Sequence, residues 1–178
     1  MSNIFETETK IKQIIDELKA LSAQAGLANQ GEEERIITSV FLYKFLNDKF
    51  MYNLSKFAEE IGETIEEILK NENDELDAFY DTTSGDVAFG YEDTIQYLIN
   101  HVEQADFYKQ FDDALVRIAQ NTRNDIFAVE TAEGSYRPLF EAISTPVEPS
   151  NRNNFAKNIF GIIAQDKFDF SSAFAGSF

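Results

Sequence analysis

The chain has 178 residues, a length that suits one ordinary domain or two small ones, and its 43% hydrophobic and 26% charged residues match the composition of chains that fold. It contains no cysteine and a single histidine, His101, which excludes disulfides, thiolate zinc sites, thiol nucleophiles and multi-histidine metal centres. Its 32 acidic residues against 15 basic ones give a formal net charge of −17, which would repel nucleic-acid phosphates and argues against a free-standing DNA-binding domain.

In chain order, the first pattern is Ile11, Ile14, Ile15, Leu18, Leu21 and Ala25, spaced by three and four, which predicts an amphipathic helix that Gly26 ends. Leu27 to Gly31 is small and polar. Glu32, Glu33 and Glu34 then place three carboxylates where the positive end of a second helix dipole favours them. That helix carries Ile36, Ile37, Val40, Phe41, Leu42, Phe45, Leu46, Phe50, Leu54, Phe57 and Ile61, too broad an apolar surface for one wet side, and is expected to be the central buried helix. Gly62 closes it. Thr64 and Glu67 have the spacing of a capping box and predict a short helix through Leu69.

Between Asn71 and Gly90 the chain is acidic and punctuated by Asp81 to Asp86, which predicts a partly helical surface excursion, the least ordered interior stretch. Two further helices are expected from Tyr91 to Val102 and from Phe107 to Ala119. Ile126 to Thr131 and Ser135 to Phe140, around a turn at Glu133 and Gly134, have the pattern of a small hairpin. Pro146 and Pro149 bracket a linker before a last helix over Phe155 to Ile163. The ending, Phe168 to Phe178, is apolar without a helical period and is expected to pack against something, either this domain's own core or a continuation of a larger protein.

Twelve acidic residues against Lys109 and Arg117 make Asn71 to Gln120 the acidic pole. Such a pole reads as a solvated face or as a surface for a basic partner. No G-x-x-x-x-G-K-[ST], G-x-G-x-x-G or G-x-S-x-G motif occurs, so nucleotide and acyl-transfer signatures are absent. Neighbouring acids such as Asp112 and Asp113, or Glu59 and Glu60, point about 100° apart on a helix and make no catalytic pair. His101 reads as a packing or surface residue, and Phe41, Phe45 and Phe50 as core. Lys44 and Asp48, four apart on the second helix, read as a surface ion pair on a solvated helix edge, or as an edge that meets nucleic acid or a partner subunit.

The string Ile37-Thr38-Ser39-Val40-Phe41-Leu42-Tyr43-Lys44-Phe45-Leu46-Asn47-Asp48-Lys49-Phe50 resembles the N-terminal signature of the modification (methyltransferase) subunit of type I restriction-modification systems. Phe111 to Ile118, Asp125 to Phe127, Asn154 to Ile163 and Phe168-Asp169 resemble later segments of the same helical domain. The turn before the signature helix, Ala25 to Gly31, departs from the family's Leu-Arg-Gly-like turn, and the acidic stretch from Asn71 to Asp86 has no counterpart in it.

The resemblance implies a helical N-terminal domain over residues 1–166, with 167–178 beginning the connection to a catalytic domain. In the family that domain binds S-adenosylmethionine through a glycine loop and holds a flipped adenine with Asn-Pro-Pro-[Phe/Tyr]; neither motif is in this chain, which implies an inert accessory domain with no cofactor of its own. Implied partners are DNA in the assembled complex, a specificity subunit, a restriction subunit and a second methyltransferase subunit. The expected DNA or subunit contacts are Lys44 and Lys49, with Arg35 a further candidate. The expected fold is mainly α, an orthogonal bundle of five or six helices that admits one small hairpin. With no membrane-spanning run and no basic-then-apolar N-terminal leader, the expected location is the cytoplasm. The alternative function is a stand-alone acidic interaction protein or DNA mimic for a basic partner.

Overall fold

The computed structural model describes residues 2–28, 31–71, 74–83, 86–121, 123–124, 129–130, 132–134, 136–165 and 170. The expected mainly helical bundle is what forms. Its α-helices are α1 (Ser2–Gln24), α2 (Gly31–Ile61), α3 (Ile65–Asn71), α4 (Asp74–Thr82), α5 (Ile95–Leu98), α6 (Phe107–Gln120) and α7 (Arg152–Ile163). The hairpin is minimal: β1 (Val129–Glu130) pairs antiparallel with β2 (Tyr136–Arg137), Val129 opposite Arg137 and Glu130 opposite Tyr136. The expected strand residues 126–128, 131 and 135 lie outside the described residues, as do 168–169 and 171–178 of the Phe-rich ending.

Local chemistry sets the boundaries. Gly26 and Gly62 take φ of +82° and +73°, the left-handed backbone glycine adopts without a Cβ penalty, where α1 and α2 end. At the start of α3 the Thr64 N–H donates to Glu67 Oε2 at 2.9 Å and the Glu67 N–H to Thr64 Oγ1 at 3.2 Å, the reciprocal capping box its spacing predicts.

With 31 residues, α2 is about 46 Å long and runs through the middle of the fold. The helix α7 packs against α1, α2 and α6. Tyr43 is fully buried, 5.8 Å from the Phe89 ring, 5.4 Å from Phe111 and 6.4 Å from Phe140. Phe111 and Phe107 in turn meet Phe160 of α7 edge-on at 5.5 and 5.2 Å, so one aromatic chain joins α2, α6 and α7. The Tyr43 hydroxyl donates to the Asp93 carbonyl at 2.7 Å, which satisfies the phenol oxygen that this ring carries into the core. Burial and the nearby Asp93 and Asp48 carboxylates push the Tyr43 phenol well above its usual range.

Two expectations need correction. The stretch from Asn71 to Gly90 is not only a surface excursion: Leu76 and Phe79 of α4 are buried, and so are Val87, Ala88 and Phe89. Phe79 lies 5.6 Å from Phe50, and Phe89 lies 5.2 Å from it, so this acidic segment closes one end of the core. The apolar residues were visible in the sequence, but the charges around them dominated its average. Nor is Tyr91 to Val102 one helix: Tyr91–Asp93 and Ile99–His101 are 3₁₀ turns on either side of the four-residue α5. Thr94 has an extended backbone there, and its hydroxyl accepts from the Tyr97 N–H at 3.1 Å, restarting the chain as a new helix.

Candidate functional site on the second helix

Helical spacing places Phe41, Lys44, Phe45 and Asp48 along one stripe of α2, at i, i+3, i+4 and i+7, with Asn47 beside it. The middle of α2 contributes Val40, Tyr43 and Phe50 to the core, and these polar groups are buried beside them, although both ends of the helix carry exposed residues. Lys44 and Asp48 are each 5% exposed and Asn47 is 0% exposed. The exposed ion pair read from the sequence is therefore corrected to a buried one. Lys44 Nζ lies 2.9 Å from Asp48 Oδ2 and 3.1 Å from Oδ1.

A buried charge pair survives when its remaining hydrogen-bonding capacity is filled. Here the partners come from distant segments. Asp48 Oδ2 also accepts the Phe170 backbone N–H at 3.0 Å, across 122 residues of chain. Asn47 Oδ1 accepts the buried Ile95 N–H at 2.9 Å, and its amide donates to Gln96 Oε1 at 3.3 Å, which fixes the first turn of α5. The Phe170 ring is 1% exposed and packs edge-on to Phe41 at 5.9 Å and tilted against Phe45 at 6.0 Å. Burial raises the Asp48 carboxyl above its ordinary value, opposed by the Lys44 charge and then by the Phe170 N–H.

Two further aspartates follow the same pattern. Asp93 accepts from Arg117 Nε at 2.8 Å and from the Gly90 N–H at 3.1 Å. Asp112 accepts the Ile143 and Ser144 N–H groups at 2.9 and 3.2 Å, tying the loop after β2 to α6. Burial raises both carboxyls, offset in part by these donors.

The other two expected contact residues lie elsewhere on α2. Lys49 is half-buried, 2.7 Å from Asp86. Arg35 pairs with Glu32 at 2.7 Å and lies 3.6 Å from Glu141. The three cations are not gathered on one face: at 100° per residue Lys44 points about 180° from Arg35, and Lys49 sits about 21 Å along the axis from it. His101 stacks on Tyr97 at 4.3 Å between ring centres, with Nδ1 at 3.0 Å from the Tyr97 carbonyl, a packing role as expected. Among the described residues no group of three or more His, Cys, Asp or Glu is arranged to hold a metal ion, and no helix is long and apolar enough to cross a membrane.

Asn47 and Phe170 are the site residues that sequence reasoning missed. A signal for Asn47 was present: it falls in the stripe Ile36, Val40, Tyr43, Phe50 and Leu54, spaced by three and four, and a buried amide needs partners from outside its own helix. No spacing rule could have paired Phe170 with Asp48. Comparison of the chain with protein-family models, with curated proteins and with solved structures finds no match. What the fold itself defines is a helical bundle whose central helix fastens two distant segments through a buried lysine, asparagine and aspartate.

Proposed function

We propose that this chain is the N-terminal helical accessory domain of a type I restriction-modification DNA adenine-N6 methyltransferase subunit. The observation that carries the reading is the use made of the string that resembles the family signature. Its Lys44, Asn47 and Asp48 are the buried residues that fasten α5 and the Phe170 segment to α2. A signature helix that acts as the domain's internal fastening fits an architectural module that works with a specificity subunit, a restriction subunit and a second methyltransferase subunit around DNA. Catalysis belongs to another domain of the parent protein. Neither the glycine loop nor the Asn-Pro-Pro motif is in this sequence, so its residues do not fit S-adenosylmethionine and no step of methyl transfer is assigned to them.

In this reading DNA contact falls to Lys49 and Arg35 rather than to Lys44 as it stands, because the Lys44 ammonium is enclosed with Asp48. Phosphate contacts of that kind would position the assembly without reading sequence. The test is to follow the reading frame past the codon for Phe178 and assay the whole product, with its specificity subunit, for S-adenosylmethionine-dependent methylation of adenine in DNA. A frame that runs into a glycine loop and an Asn-Pro-Pro-aromatic motif, with activity, is the expected result. A stop codon directly after Phe178 would contradict the reading.

A second reading, an acidic protein that occupies a basic partner's nucleic-acid surface, is favoured by one observation. Among the described residues, ion pairs with carboxylates engage Arg35, Lys44, Lys49, Lys70, Arg117, Arg123 and Lys157. Each pair cancels one carboxylate against one cation and leaves the net charge of −17, which is the field a basic partner would meet. That reading predicts salt-sensitive binding to a basic nucleic-acid enzyme.

A further inference from the structure

Where the end of α1 meets the start of α7, a cleft of about 210 Å³ opens between the two helices. Four carboxamides converge on it, Gln24 from α1 and Asn151, Asn154 and Asn158 from α7 and the turn before it. No charged residue lines it, although the chain as a whole carries −17. All four side chains belong to exposed residues, and none of them makes a hydrogen bond to another described residue. Other carboxamides of this protein show what such a group grips. Asn153, next to Asn154 in the chain, accepts the Tyr108 N–H at 3.1 Å and donates to the Gln104 carbonyl at 3.4 Å. Asn124 takes both the N–H and the carbonyl of Ala88, at 2.8 and 2.9 Å. Those two groups of one residue point to the same side where the backbone is extended, as they do in a sheet ladder. In both cases one side chain, with its donor and its acceptor, holds a stretch of main chain.

We propose that the cleft between α1 and α7 binds an extended, uncharged segment of a partner polypeptide, held through its main chain by Asn154 and Asn158. The lining selects for charge first: a phosphate meets no cation there and a basic side chain meets no carboxylate. The aromatic residue of the lining, Phe155, is 4% exposed, so it presents no face on which a nucleobase would stack. The volume lies below the range of roughly 300–1,000 Å³ usual for small-molecule sites, which suits a strand laid across the cleft rather than a ligand enclosed in it. Spacing then matches the main chain. Asn154 and Asn158 stand one turn apart, about 6 Å along the axis of α7. In an extended chain alternate residues turn their N–H and carbonyl to the same side about 6.8 Å apart. Each asparagine therefore meets one of two alternate residues in the way Asn124 meets Ala88, and Gln24 faces the same segment from α1. The inference does not depend on the methyltransferase reading, since it rests on α1 and α7 alone.

The test uses the full chain, isotope-labelled for NMR, and as probe a hexapeptide of alternating alanine and serine blocked at both ends. The expected result is a saturable shift of the Asn154 and Asn158 side-chain amide signals, with a Kd of about 1 mM, while the Asn153 and Asn124 signals, already bonded, stay in place. Because no charge is involved, the Kd should not change between about 50 and about 500 mM salt. The Asn154→Ala, Asn158→Ala double variant changes two exposed side chains, so it should keep the wild-type unfolding midpoint and bind at least about tenfold more weakly. The same peptide with every second nitrogen methylated loses main-chain donors and should bind the wild-type chain as weakly. No shift at about 10 mM peptide, equal binding by the double variant, or equal binding of the methylated peptide would overturn the proposal. A neutral sugar offers donors and acceptors without charge, so maltohexaose is titrated in parallel. Shifts of the same signals at lower maltohexaose than peptide concentration would overturn the peptide assignment.

Discussion

The middle of α2 and the corner formed by α3 and α4 are both rich in charge, and they use it in opposite ways. In mid-α2 a single carboxylate, Asp48, is 5% exposed and serves Lys44 and the Phe170 N–H together. At the corner Glu66, Asp77 and Asp81 are exposed, and their partners Lys70 and Arg123 are exposed too. There, Glu63 is raised by a hydrogen bond to Glu75 and then by slight burial and the Glu75 and Glu67 charges, a sign of carboxylates crowding one another in water. Water does most of the solvating at the corner, and protein does it in mid-α2. The difference shows that where charges sit, rather than how many there are, decides which of them hold the fold together.

The largest expected effect comes from breaking mid-α2. Asp48→Ala would leave the Lys44 charge buried without its counter-ion and the Phe170 N–H without an acceptor, and should cost about 3–5 kcal/mol in denaturant unfolding. Asn47→Ala should cost about 2 kcal/mol by the same measurement, because the buried Ile95 N–H loses its acceptor.

The next prediction sharpens the comparison through pH. Asp48, Asp93 and Asp112 have raised carboxyl pKa values, with burial as the first cause of each. In the window between their ordinary and raised values the folded state binds more protons than the unfolded one, so stability falls as pH rises through that window. The denaturant midpoint should therefore be higher near the upper edge of the ordinary carboxylate range than at neutral pH. A midpoint that climbs steadily toward neutrality would count against it. Glu67, lowered by its bonds to Thr64, acts with the opposite sign, and its contribution disappears as pH falls below the ordinary glutamate range.

At the corner the effects shrink. Thr64→Ala removes one half of the α3 capping box and should cost about 1 kcal/mol. Lys70→Ala, which removes an exposed partner of Glu66, should leave the unfolding midpoint unchanged within error.

These contrasts also explain what the sequence made legible. The ends of α1 and α2, the α3 capping box, α6 with its buried Phe107, Phe111, Leu115 and Ile118, and α7 all follow from residues a few positions apart. Local spacing carries that information. Phe89 against Tyr43, Asn124 on the Ala88 N–H and carbonyl at 2.8 and 2.9 Å, and Phe170 on Asp48 depend on segments meeting after folding. Lys44 and Asp48 were legible as a pair but not as a buried one, because helical spacing reports who faces whom on one helix and says nothing of what covers them.

The most direct test of the account is a double-mutant cycle on Lys44 and Asp48, with both alanine variants and their combination unfolded in denaturant. A buried, mutually dependent pair predicts large single losses and a coupling of about 2 kcal/mol or more. A coupling below about 0.5 kcal/mol, the size expected of an exposed helical ion pair, would contradict the claim that these residues fasten the fold from within.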